Sequence, residues 1–119
     1  MTVLIAGGGI SGLTLALSCH QVGIPCIVFE ASPMVQPLGV GINLQPSAVR
    51  ELYALGLKDR LAEVGVQTRD YGFYSKKGLH IWTEPRGMHL GYNWPQYSVH
   101  RGQLQMALLD ALIERCGPA

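Results

Sequence analysis

A chain of 119 residues with 48% hydrophobic content has the mass of one small domain and enough apolar side chains for a modest core, which excludes disorder. A net charge of +1, with 14% charged residues and scattered Lys and Arg, leaves no polybasic face for nucleic acid or an anionic membrane surface. Cys19, Cys26 and Cys116 fit no zinc spacing, so no metal is expected; an odd set of buried, reduced thiols points to a cytoplasmic protein.

The first element is a short apolar strand, Val3 to Ala6, with no basic residues ahead of it to suggest a signal peptide. Leu13, Leu15, Ala16, Leu17 and Cys19 then follow a helical period, and Val22-Gly23-Ile24-Pro25 stops that helix before a second strand, Cys26 to Glu30. Ala31 to Gly41 is rich in Pro and Gly and has no period of its own; irregular loops on a rigid scaffold are usually functional. Pro46-Ser47 opens a helix with Val49, Leu52, Tyr53 and Leu55 on one face, closed by Gly56, and Lys58 to Val64 makes a further short helical turn. From Asp70 the period becomes two: Tyr71, Phe73 and Ser75, then Leu79, Ile81 and Thr83 beyond Lys76-Lys77-Gly78, predict a β-hairpin. A polar, aromatic loop (Arg86 to Gln96) leads to a strand, Tyr97 to His100. A last helix runs from about Gly102 to Cys116, with a broad apolar face made by Leu104, Met106, Ala107, Leu108, Leu109, Leu112 and Ile113. Gly, Pro or charge interrupts every apolar run before the roughly twenty residues a membrane span needs, so a soluble protein is expected.

The chemistry sits at the front. Gly7, Gly9 and Gly12 stand in G-x-G-x-x-G spacing between the first strand and the first helix, and Glu30 follows Gly12 by eighteen residues at the end of the second strand. Each glycine has a physical reason. Gly7 permits the tight turn, Gly9 lets a pyrophosphate approach the backbone, and Gly12 lets helix and strand pack closely. A diphosphate would sit on the unpaired N–H groups of Ile10, Ser11 and Gly12, where the helix dipole favours an anion. Glu30 would accept the hydroxyls of an adenosine ribose and repel a 2′-phosphate, which favours NAD or FAD over NADP at this position. The expected fold is therefore α/β, a Rossmann-like βαβ unit. A parallel nucleotide-binding sheet needs a further strand after the last helix, and Gly117-Pro118-Ala119 offers none, so the domain is expected to be incomplete. The glycine motif and Glu30 alone also permit an NAD-dependent dehydrogenase, or a stand-alone adenine-dinucleotide binding module without turnover.

Four segments carry a family likeness: Ile5 to Leu13, Val28-Phe29-Glu30, Leu38 to Pro46 together with Leu55-Gly56-Leu57, and His100-Arg101-Gly102-Gln103-Leu104. On these the whole chain resembles the N-terminal part of the FAD-dependent aromatic hydroxylases, the single-component flavoprotein monooxygenases of the para-hydroxybenzoate and salicylate hydroxylase type. Glu84-Pro85-Arg86-Gly87 and Pro95 to Arg101 look especially like the phenazine-modifying members.

The resemblance implies FAD as cofactor, NAD(P)H as transient co-substrate and a small aromatic substrate. It puts Glu30 and Ala31 at the adenosine ribose, Gly39, Val40 and Gly41 along the flavin ring, and Arg101 near the diphosphate and ribityl chain. A guanidinium suits that place because its planar fork donates two hydrogen bonds and keeps its charge. It divides the chain into FAD-binding parts, 1–68 and 98–119, and the first hairpin of a substrate domain, 69–97, where Tyr71, Phe73, Trp82, Trp94 and Tyr97 are candidates for an aromatic floor, core packing being the fate expected for most of them. No catalytic acid or base is named, because the cofactor carries the chemistry. His80, His89 and His100 are not at metal-ligand spacing, and His20 falls at a helix end where the dipole accounts for it. Two family features are absent: no Gly-Asp or Asp-Gly dipeptide occurs, and Gln36 stands where relatives often carry arginine. The reading is thus a front portion of an enzyme, inactive alone, with an apolar helix face and an open sheet edge that favour self-association.

Overall fold

The computed structural model describes residues 1–33 and 36–117; Met34 and Val35 of the proline-rich loop, and Pro118-Ala119, lie outside the described residues. Strand β1 (Val3–Ala6), helix α1 (Ile10–Gln21) and strand β2 (Cys26–Phe29) form a parallel βαβ unit in which Val3 pairs with Cys26 and Ala6 with Phe29. Gly7 extends the ladder by donating its N–H to Phe29 O at 2.6 Å. Alternation along the strands turns Ile5 and Val28 toward α1 and leaves Leu4, Ile27 and Phe29 on an exposed face. Parallel sheets are normally covered on both faces, so this bare face calls for a partner.

A second sheet was not foreseen. β3 (Gly41–Leu44), β7 (Gln96–His100) and β4 (Gly65–Thr68) pair antiparallel in the order β3-β7-β4, with Gly41 opposite His100 and Thr68 opposite Gln96. One correction and one addition follow. Gly41 starts a strand instead of ending a loop, and the segment after Val64, which has no reading of its own in the sequence, is a strand. Each is only four residues long, too short for a periodic signal; their conformation comes from pairing with β7 on either side. The boundary expected after residue 97 falls inside β7, whose Gln96 and Tyr97 pair with Thr68 and Gln67.

Helices α2 (Pro46–Ala54) and α3 (Lys58–Val64) follow β3, and α4 (Arg101–Cys116) follows β7. Pro46 at the first turn and Gly56 at φ +75° bound α2 as anticipated. The broad face of α4 packs against α1 and α3, and one core joins Leu13 and Leu17 of α1, Val49 and Leu52 of α2, Leu61 of α3, Val99 of β7 and Leu104, Leu108 and Ala111 of α4. Leu15, read as part of the apolar face of α1, is exposed instead, because the buried stripe runs through Leu13, Ala16 and Leu17. Tyr97 is buried as well. Its hydroxyl lies 2.8 Å from that of Tyr53 and accepts from Gln67 Nε2 at 3.2 Å, so the polar end is satisfied inside the core. Burial, then the Tyr97 hydroxyl, raises the Tyr53 pKa above the ordinary phenol value.

The hairpin forms from β5 (Asp70–Tyr74) and β6 (His80–Pro85), closed by Gly78 at φ +82° and by Ser75, whose Oγ accepts from the N–H of Lys77 and Leu79. Tyr71, Phe73, Tyr74, Ile81 and Trp82 on it are all exposed, and Trp94 packs partly against the core. The aromatic floor is thus not assembled among the described residues; core burial accounts for Tyr97 and in part for Trp94, while the hairpin aromatics belong to neither. All three cysteines are free, but Cys116 is exposed, since it lies at the last turn of α4 beyond the core. No helix among the described residues is long and apolar enough to cross a membrane.

Candidate dinucleotide site

The turn from β1 into α1 has the backbone that the glycine spacing implies. Gly7 sits at φ +104°, a conformation that a side chain disfavours. Gly12 faces β1 so closely that a Cβ there would overlap the Gly7 carbonyl oxygen and stand 3.3 Å from Ile5 Cγ2. Gly9 differs: its φ is −78° and a Cβ on it would meet nothing within 4 Å. The absence of a side chain at Gly9 keeps a space open and relieves no strain. The first intrahelical bond runs from Leu13 N to Gly9 O at 2.9 Å, so the amides of Ile10, Ser11 and Gly12 have no intrahelical acceptor. No side chain caps this end.

A cavity of about 440 Å³ opens there, lined by Ala6, Gly7, Gly9, Ile10, Ser11 and Gly12 on one side and by Arg101 and Gln105 on the other. Arg101 arrives because β7 pairs with β3 and hands straight into α4. Its N–H donates to Val40 O at 2.9 Å, and His100 Nδ1 caps the helix by accepting from Gln103 N at 3.2 Å. The guanidinium lies over Gly39, where φ is +127° and an added Cβ would come within 2.5 Å of Arg101 Nε. Gly39, Val40 and Gly41 are therefore brought to Arg101, although they do not line the cavity itself.

Glu30 stands at the other end of the turn. Its Oε2 accepts from Gly8 N at 2.6 Å and its Oε1 from Ser32 N at 3.1 Å. These N–H donors, Ser32 first and Gly8 second, hold its pKa below the usual carboxylate value, with a smaller contribution from the Ala31 amide. Ala31 is exposed and otherwise contributes only its place beside Glu30.

Two residues escaped the sequence reading. Gly102 is buried in the first turn of α4, and a Cβ on it would overlap the backbone of Pro37 and approach Leu38 N to 2.6 Å, so it lets the helix abut the loop that carries Gly39. A glycine inside a helix, where it lowers propensity, was the available signal. Gln105 lines the cavity and donates from Nε2 to Gly8 O at 2.9 Å. Its spacing of four from Arg101, one helical turn along the same face, could have flagged it.

An open cradle of backbone donors, an acid on one flank and a guanidinium on the other are what a dinucleotide diphosphate with its ribose requires. The comparisons agree. The chain belongs to the FAD-binding domain family, whose model matches residues 1–114. It is 49% identical over 116 residues to the phenazine 1,6-dicarboxylic acid hydroxylase PhzS of Lysobacter antibioticus, covering 97% of this chain and 28% of that protein. It is 37% identical over 113 residues to the 3-amino-4-hydroxybenzoate 2-monooxygenase of Streptomyces cremeus, covering 92% and 29% respectively. Among solved structures, Klebsiella pneumoniae HpxO, complexed with FAD and uric acid, superposes with a TM-score of 0.77 at 26% identity over 93% of this chain and 28% of that one. The p-nitrophenol 4-monooxygenase PnpA of Pseudomonas putida shares the fold, with a TM-score of 0.85 at 19% identity over 98% and 31%. The chain thus spans less than a third of the length of these relatives. The cofactor of the family is FAD.

Proposed function

We propose that this chain supplies the adenine-dinucleotide side of the flavin site in an NAD(P)H- and O2-dependent monooxygenase that hydroxylates a small aromatic substrate, phenazine- or benzoate-like. The open space before Gly9, facing Arg101, with Glu30 tied to the neighbouring Gly8 amide, is the observation that carries this reading. Gly7, Gly9, Ile10, Ser11 and Gly12 bind the diphosphate, and Glu30 with Ala31 binds the adenosine ribose. Arg101 reaches the diphosphate and ribityl chain, and Gly39, Val40 and Gly41 lie along the ring. Bound FAD would supply the redox chemistry with NAD(P)H and O2, and the residues named here would bind, orient and shield it. Residues 1–68 and, with the whole of β7, 96–119 belong to the FAD-binding part, and the β5–β6 hairpin to a substrate domain. Three free thiols support a reducing, cytoplasmic setting.

Titrating the purified chain with FAD, ADP and NAD tests the reading. FAD is expected to bind more tightly than ADP, because Arg101 and the 39–41 segment add contacts beyond the adenosine half. Equal affinity for FAD and ADP points to a bare dinucleotide module instead, and no binding of any of them refutes the site. A second expectation concerns association. The uncovered face of the parallel sheet (Leu4, Ile27, Phe29) and the exposed aromatics of the hairpin should drive the isolated chain into dimers or larger species on gel filtration with light scattering. A monomer at tens of micromolar would contradict this.

A further inference from the structure

We propose that Gln105 is a cofactor-positioning residue: it holds the Gly8–Gly9 peptide in the one orientation in which the glycine turn can receive a diphosphate. The inference rests on the dinucleotide reading of the site. Three consecutive glycines, Gly7-Gly8-Gly9, have more backbone freedom than any other triplet, so the turn does not hold its shape by local preference. Its restraints come from outside. Gly7 N–H is fixed by Phe29 O on β2, Gly8 N–H by Glu30, and Gly9 O by Leu13 N in α1. The Gly8 carbonyl is held by Gln105 Nε2 at 2.9 Å, from a helix 97 residues further along the chain.

That carbonyl matters because a peptide is a rigid trans plane: Gly8 C=O and Gly9 N–H point in opposite directions, and fixing one fixes the other. Released from Gln105, the plane is free to rotate between two glycines, and the turn loses the fixed shape that its neighbours impose on it. Arg101 and Gln105 stand one turn apart on α4 and line the same cavity. The helix therefore delivers a charge to the ligand and a brace to the loop that binds it. The brace must be a donor. A glutamate of the same size would face the Gly8 oxygen and the diphosphate with negative charge.

The test compares the wild-type chain with Gln105→Ala and Gln105→Glu, using FAD and ADP as ligands. Because the brace acts on the diphosphate loop, both ligands should weaken by the same factor, about tenfold for Gln105→Ala, and at least as much for Gln105→Glu at neutral pH. In ligand-free protein labelled with 15N-glycine, the Gly8 and Gly9 amide resonances should broaden or exchange faster in Gln105→Ala, while Gly23 and Gly78, remote from the site, stay unchanged. A Gln105→Ala chain that binds FAD and ADP like the wild type, with Gly8 and Gly9 unaltered, overturns the inference and leaves the site intact. A wild type that binds neither ligand overturns the site, and the inference with it.

Discussion

Gly12→Ala is expected to destabilise the ligand-free chain by about 1–3 kcal/mol and to reduce FAD affinity by at least about a hundredfold. The added methyl would overlap the Gly7 carbonyl oxygen, which is backbone, so nothing short of moving α1 off β1 relieves it. That displacement carries the donor amides of the first turn away from the diphosphate. Gly9→Ala is the instructive contrast. Its methyl meets no atom of the protein, so the cost is only that of Ala in place of Gly at an N-cap, about 1 kcal/mol or less. Gly9→Ala should melt closer to the wild type than Gly12→Ala does, yet bind FAD poorly, because the methyl enters the space reserved for the ligand. Thermal melting of the ligand-free proteins and fluorescence titration with FAD separate the two effects. Equal melting of the two variants, or wild-type FAD affinity in Gly9→Ala, would show that the glycines do not have the distinct jobs assigned here.

Glu30→Ala should weaken FAD and ADP together, by about ten- to a hundredfold, since it removes the charged acceptor for the ribose and frees Gly8 N–H from its anchor. The chain should also prefer 5′-AMP to adenosine 2′,5′-bisphosphate, which differ only in the 2′-phosphate, and Glu30→Ala should narrow that preference by removing the repulsion of that phosphate. The pH dependence has a definite sign. Hydrogen bonds from Ser32 and Gly8 lower the Glu30 pKa in the folded state, so its contribution is fully present above the ordinary carboxylate pKa and is lost as pH falls through the lowered value. Through Glu30 alone, affinity should therefore hold steady from neutral pH down past the range where an unperturbed glutamate titrates. An affinity that falls away already near pH 6 would indicate a carboxylate that is not held by those amides.

The dinucleotide motif was legible because each of its positions is dictated by backbone geometry: a left-handed turn at Gly7, an open approach at Gly9, a close crossing at Gly12. Such demands exclude side chains outright and so mark the sequence. The helices were legible from their apolar spacing and from Pro46 and Gly56 at their ends. What stayed hidden depends on partners distant in the chain. β3 and β4 are four residues each, too short for alternation to mark them; they become strands because β7 pairs with both, and Asn43 and Ser98 join their side chains across the ladder at 2.6 Å. Gln105 reads as a polar surface position of a helix until the fold sets it against Gly8. The hairpin was visible, but its exposed aromatics show that a strand pattern says which residues alternate and not which face is covered.

A co-crystal of the chain with ADP should show diphosphate oxygens within hydrogen-bond distance of the amides of the first turn of α1, between that turn and Arg101, with the ribose hydroxyls on the carboxylate of Glu30. An ADP bound elsewhere, or one at the turn with its ribose directed away from Glu30, would contradict that arrangement.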